Sequence, residues 1–114
     1  MKKINILKKN TDFNRIINTK KAFKSKNYII YLEKIKDETY YFGFSVGKKI
    51  GNAVARNKIK RQLKNIIDKK NYKNGFNCII IVKKGILTQS FIEKEDELLK
   101  NLKKLKIIKE KNNA

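Results

Sequence analysis

Residues 48–64, KKIGNAVARNKIKRQLK, constrain this chain more than any other stretch, because they set a glycine turn directly ahead of a two-sided helix. At about 100° per residue, Ala55, Ile59, Leu63, Ile66 and Ile67 fall on one arc. Arg56, Lys60, Lys64, Asn57 and Arg61 occupy much of the remainder. Such a helix buries one side only, and its apolar arc needs a sheet or another helix to lie against. Asn52, following Gly51, is placed to cap the first turn by accepting from free N–H groups, which leaves the positive helix end facing an anion. Between Lys48 and Lys70 nine Lys/Arg stand against one acid, Asp68, a net charge of +8. Bunched, one-sided charge of this kind is the footprint of a protein that binds a polyanion. The alternative is a solvated basic face on an ordinary amphipathic helix. The Arg-Asn pair, the Gly-Asn start and the charge of the whole chain weigh against it.

That whole-chain charge is +20 on 114 residues, from 30 Lys+Arg against 10 Asp+Glu. Nucleic acid is the default partner. Part of the Lys, Asn and Ile excess fits an AT-rich coding bias, so the clustering says more than the total. The length suits one domain, residues 1–114, and 40% hydrophobic residues supply a modest core without staples. A single cysteine, Cys78, in an apolar pattern cannot close an intramolecular disulfide, so a buried structural thiol in a reducing compartment is expected. No run of about 18 apolar residues and no apolar signal region is present, and a soluble, cytoplasmic protein is expected.

An autonomous nuclease needs general acid and base groups or a set of metal ligands, and the chain has no His. Glu93, Glu95, Asp96 and Glu97 sit near the start of a predicted last helix, where the helix dipole accounts for them. Asp12, Glu33, Asp37, Glu38 and Asp68 are scattered. We therefore assign no catalytic residue and no metal ligand to the protein itself.

Along the chain, Asn10 or Thr11 is expected to cap a short helix with Phe13, Ile16 and Ile17 on one face. Tyr28 to Ile35 alternates and reads as a strand; Tyr40 to Val46 is a second, and the charged turn Lys36 to Thr39 predicts that the two pair as an antiparallel hairpin. The basic helix follows and ends before Asn74-Gly75. The apolar run from Cys78 to Val82 predicts a buried central strand. Ser90 with Glu93 resembles a capping box, ahead of a helix striped by Phe91, Leu98, Leu102 and Leu105. Met1 to Lys9, with four Lys and few anchors, is expected to be mobile, and residues 106–114 to form a frayed tail beyond a core of about residues 6–105. Strand, helix, strand in one small sheet implies an α+β sandwich with helices on one or both faces. Tyr28, Tyr40, Tyr41, Phe42 and Phe44 are assigned to core and sheet packing.

The segments LKKNTDF, YIIYL, FSVGKKIGNAVARNKIKR and CIIIVKK, in this order, resemble the protein subunit of bacterial ribonuclease P from about Ile6 to Leu105. The resemblance implies an αβββαβα chain folded as a two-layer α/β sandwich, with a central four-stranded sheet and a left-handed βαβ crossover through the basic helix. The general preference is for right-handed crossovers, so that handedness comes from the resemblance alone. It further implies an RNA-binding subunit of an endoribonuclease that matures the 5′ end of tRNA. The chemistry would be carried by the RNA subunit, with Mg2+ required by the ribonucleoprotein and no cofactor held by the protein. The partners would be the ribonuclease P RNA and precursor tRNA, with no membrane and no small-molecule substrate.

Carried onto this sequence, the motif places Arg56, Asn57, Lys58, Lys60, Arg61 and Lys64 against the catalytic RNA. It places Phe13, Ile17 and Tyr31, with Asn10, Lys48 and Lys49 nearby, in a cleft for the single-stranded 5′ leader. Two positions depart from the family pattern. Lys58 stands where Arg is usual, which exchanges a planar fork for a point charge, and Ile17 stands where Phe is frequent. Aromatic stacking suits a leader of variable sequence, because every base has a π-face. The alternative is a general basic RNA- or DNA-binding protein of ribosomal or nucleoid type, which explains the charge but not the placed aromatics.

Overall fold

The apolar run ending at Val82 forms the middle of a four-stranded sheet in the computed structural model, which describes residue 2 and residues 5–109. The elements run α1 (Asn10–Thr19), β1 (Ala22–Lys24), β2 (Tyr28–Lys34), β3 (Tyr40–Ser45), α2 (Ala53–Ile67), β4 (Phe76–Val82) and α3 (Phe91–Lys104). Short 3-10 turns occupy Lys48–Ile50 and Lys84–Thr88. This is the αβββαβα order and an α+β fold. The short β1 was not legible from the residues themselves.

The sheet order is β1-β2-β4-β3, with β1–β2 and β2–β4 antiparallel and β3–β4 parallel. The expected hairpin of Tyr28 to Ile35 with Tyr40 to Val46 is therefore absent. β4 is inserted between the two strands, and Gly75 is the point of entry. Its N–H donates to the Thr39 carbonyl at 2.8 Å, and its carbonyl accepts from Ile35 N–H at 3.0 Å. Gly75 has φ of 85°, and a Cβ there would lie 2.9 Å from the Ile35 carbonyl oxygen, so only glycine fits. β4 wins the central place because six of its seven residues are buried, whereas an edge strand keeps one face wet.

Residues paired across neighbouring strands share a face. On one face Tyr28 and Ile30 of β2, Phe42 of β3, and Cys78 and Ile80 of β4 join a single buried cluster. Ile59, Leu63, Ile66 and Ile67 of α2 and Leu98 and Leu102 of α3 complete it. Each such side chain contributes roughly 1.5–3 kcal/mol by leaving water. Cys78 is fully buried here, and burial pushes its thiol well above the usual range, so it acts as a small core residue. The opposite face carries α1, whose Ile16 is buried with Ile79 outside that cluster.

Asn52 Oδ1 accepts from Ala55 N–H at 2.9 Å, as expected for the cap of α2. Ser90 and Glu93 form the expected capping box. α1 differs: both Asn10 and Thr11 lie inside the helix, and Lys9 is the cap residue with no side-chain hydrogen bond. The chain ends are tied more firmly than their composition suggests. Asn5 Nδ2 donates to Thr39 Oγ1 and the Tyr40 carbonyl, and Ile6 bridges in parallel to Phe42, so residues 5–7 extend the β3 edge. At the other end Lys106 adopts φ of 62° and turns the chain back. Ile107 is buried, and Ile108 bridges to Tyr72. The expected frayed tail thus does not begin at Lys106; residues 110–114 lie outside the described residues, as do residues 1, 3 and 4 of the expected mobile start.

Candidate nucleic-acid interface

The basic helix separates its predicted residues into three groups. Asn57, Lys60, Arg61 and Lys64 line one shallow concavity of about 450 Å³ together with Val54, which is 75% exposed. Val54 is thus an exposed apolar side chain with Lys60, Arg61 and Lys64 beside it. Arg56 does not belong to this strip. Like Lys60 and Lys64 it is half-buried, but its Nε is buried without a hydrogen-bond partner among the described residues. The cause is angular, because at about 100° per residue Arg56 falls between Leu63 and Ile67 inside the apolar arc. Lys58 lies on the other flank, beside α3. Its charge, after burial, helps lower the affinity of Lys94 for its proton, and Lys94 Nζ donates to Gln62 Oε1 at 2.9 Å.

α1 spans only ten residues and leaves part of its sheet face open. The register puts Ala22, Tyr31, Ile79 and Gly43 on one row, and Ile29, Ile81 and Ser45 on the next. Phe13 closes the first row at the β3 end. A Cβ on residue 43 would lie 2.4 Å from Phe13 Cζ, so Gly43 is the seat of that ring. Tyr31 stands at the β2 end, separated from Gly43 by the width of β4, about 10 Å between strand axes. The two rings therefore form two platforms and not one sandwich. Phe13, Ile17 and Tyr31 are half-buried, whereas Asn10, Lys48 and Lys49 are exposed, the lysines just beyond the last residue of β3. Ile29, Ile81 and Ser45, all half-buried, floor the open part of this cleft. The strand period, which sends Ile29 and Tyr31 to one face, is the signal that would have found them.

One ion pair to the sheet adds to the packing of Ile16 and Phe13 in placing α1. Arg15 donates from Nη2 to Glu33 Oε1 at 2.8 Å and from Nη1 to Asp12 Oδ1 at 2.7 Å. The Arg15 hydrogen bond, helped by Asn77, keeps the Glu33 carboxyl below its usual range against the opposing effect of burial. Glu97 is the counterpart on α3 and was also missed. Burial alone would raise its carboxyl, but it accepts from Asn27 Nδ2 at 2.6 Å, Ser25 Oγ at 2.7 Å and Asn27 N–H at 2.8 Å, with Gln89 adding a fourth donor at 3.1 Å. The net effect is a lowered pKa and a latched β1–β2 turn. Among the described residues no three His, Cys, Asp or Glu side chains gather in a way that holds a metal ion. Nor is any described helix long and apolar enough to cross a membrane.

A cation-lined helix strip on one side of a sheet and an aromatic cleft on the other define an α+β RNA-binding protein. The family model described as ribonuclease P matches residues 1–106. The ribonuclease P protein component of Mycoplasma mycoides subsp. mycoides is 42% identical over 110 residues, covering 93% of this chain and 100% of its own length. That of Streptococcus pneumoniae serotype 4 is 34% identical over 116 residues, covering 100% of this chain and 94% of its own. Among solved structures, the Staphylococcus aureus RNase P protein superposes with a TM-score of 0.83 at 29% identity, covering 92% of this chain and 98% of that one. The RNase P protein from Thermotoga maritima gives 0.78 at 25% identity, covering 86% and 94%. The chain belongs to the bacterial ribonuclease P protein family.

Proposed function

We propose that this chain assists a catalytic RNA that cuts precursor tRNA at its mature 5′ end, holding that RNA and the substrate's 5′ leader on two separate surfaces. The observation that carries the reading is the placement of the basic strip and the aromatic cleft on opposite sides of one sheet. Two RNA strands can be bound at once without competing. Asn57, Lys60, Arg61 and Lys64 bind the catalytic RNA, with the point charge of Lys58 adding phosphate attraction from the α3 flank. Phe13 and Tyr31 stack on leader bases, Ile17 gives an aliphatic contact, and Asn10, Lys48 and Lys49 meet the backbone. The net charge of +20 lowers repulsion between two large polyanions. Magnesium ions act at the scissile phosphate through ligands of the RNA, so the protein raises their occupancy only indirectly. The setting for this chemistry is the cytoplasm.

Reconstitution with a bacterial ribonuclease P RNA and labelled precursor tRNA tests the reading. Protein alone is expected to be inert. Added to the RNA at moderate magnesium, it should raise 5′-end cleavage sharply, and the gain should shrink at high magnesium or salt as added cations replace it. Cleavage by protein freed of RNA, with contamination excluded by a matched preparation, would sink the proposal.

A further inference from the structure

On the far flank of α1 from the aromatic cleft lies a second concavity of about 400 Å³. Lys8, Lys9, Asp12, Tyr41 and Asn77 line it, with the chain around Ile6 and Leu7 as its outer wall. Its distinguishing feature is Asn77, only 6% exposed. The Asn77 Nδ2 donates to Glu33 Oε1 at 3.0 Å, and because that partner is a carboxylate the amide orientation is fixed. Its Oδ1 is left as a buried acceptor with no donor among the described residues. Buried acceptors are rarely left so, and an N–H or O–H supplied from the cavity, by water or by a ligand, would complete this one.

The other walls narrow the chemistry. Tyr41 lies outside the main core cluster; its hydroxyl donates to Asp37 Oδ2 at 3.1 Å, which fixes the ring at the cavity wall while it stays half-buried. Lys8 and Lys9 are exposed, and the first turn of α1 has no side-chain cap, so its free N–H groups add positive potential. Asp12, the one acid on the wall, is neutralised by Arg15. A ring, a buried acceptor and paired cations at the mouth match a base, its edge or ribose hydroxyl, and its phosphate.

We propose that this concavity is a second subsite for one ribonucleotide of the single-stranded 5′ leader. Tyr41 stacks on the base, Asn77 Oδ1 accepts from an exocyclic amine or a 2′-hydroxyl, and Lys8 and Lys9 bind the phosphate. The leader reaches it by passing the Asn10 end of α1 along the β3 edge, with Lys48 and Lys49 following β3 and Lys8 and Lys9 preceding α1. The inference rests on the leader reading above, and the two fail differently.

The test is the affinity of the reconstituted holoenzyme for precursor tRNAs whose leaders lengthen one nucleotide at a time. Wild type should gain affinity in two steps. Tyr31→Ala should remove the first step. Tyr41→Leu, and separately Lys8→Ala with Lys9→Ala, should lower affinity by about five- to tenfold for the longer leaders only. An abasic nucleotide at the second step should cost the same and add nothing to Tyr41→Leu. Thermal melting of each variant is measured alongside, and the lysine pair, remote from the core, keeps the test valid if Tyr41→Leu unfolds. Overlay of the Tyr41 and lysine variants on wild type at every length, with the Tyr31 step intact, overturns the second subsite and leaves the cleft standing. Loss of both steps in wild type removes the leader reading itself, and this inference with it. A fall in affinity for the catalytic RNA alone would assign the nucleotide to that RNA and overturn the leader assignment.

Discussion

Gly43→Ala tests the geometry of the leader cleft at its tightest point. The added methyl would sit 2.4 Å from Phe13 Cζ and 3.0 and 3.1 Å from the two Cε atoms, so the ring or the whole of α1 must move. Overpacking of this kind costs about 1–3 kcal/mol. Removing a strand glycine returns about 0.5–1 kcal/mol through backbone entropy. The net expectation is a loss of about 1–2 kcal/mol, read as a fall of several degrees in melting temperature. A double-mutant cycle isolates the cause, because in a Phe13→Leu background the methyl fills space that the ring has vacated. Urea denaturation of the four proteins should then give a coupling of at least about 1 kcal/mol between the two sites. Purely additive losses would show that Gly43 is required for some reason other than the Phe13 ring, and the platform geometry drawn above would be refuted.

Tyr31→Ala should weaken holoenzyme binding of precursor tRNA by roughly 1–3 kcal/mol while mature tRNA binding is unchanged; equal losses for both would remove the stacking role. Ile17→Phe, which restores an aromatic wall, should leave precursor binding equal or slightly improved in the same assay. Arg61→Ala with Lys64→Ala should lower the slope of log affinity for the catalytic RNA against log salt by roughly 0.7–0.9 per lost phosphate contact, with melting unchanged. Arg56→Ala, which strips the stem from the apolar arc, should melt lower than Arg56→Met, which keeps an apolar stem without the unpaired Nε, and equal melts would contradict that burial. Glu97→Gln addresses acid stability. The folded-state pKa of Glu97 is depressed, so its contribution is present above the ordinary carboxylate value of about 4.3 and is lost as pH falls through the folded value. The variant should flatten the acid limb of stability measured by denaturant titration, and an unchanged limb would exclude the latch.

Much of this fold was legible because local rules and global packing agree. Gly51-Asn52, the apolar arc from Ala55 to Ile67, the Ser90 and Glu93 box and the run from Cys78 to Val82 each specify their element without help from elsewhere. Strand pairing was not legible. A charged turn between two alternating strands signals a hairpin, but nothing local reveals that a later and more apolar strand will take the place between them. Gly75 carries that information, although only as a glycine whose positive φ is visible in three dimensions. In the interface, charge pattern pointed to the basic helix but gave no sign that the Nε of Arg56 is buried, because a cation reads as exposed whatever its angular position. Tyr41 was assigned to packing for the converse reason. Aromatic type suggests a core, and only the strand register shows that it faces away from the main cluster.

The sheet order also sets a timetable for synthesis. β4 is the common partner of β2 and β3, so when Tyr40–Ser45 leaves the ribosome it has only the residue 5–7 segment to pair with. The basic helix emerges next, with its apolar arc facing no finished sheet. Closure waits for Val82, and the α3 latch on the β1–β2 turn waits for Glu97. A chain cut short before Phe76 therefore carries most of the RNA-binding charge but no architecture to aim it, and quality control meets a sticky polycation in place of a weakened subunit.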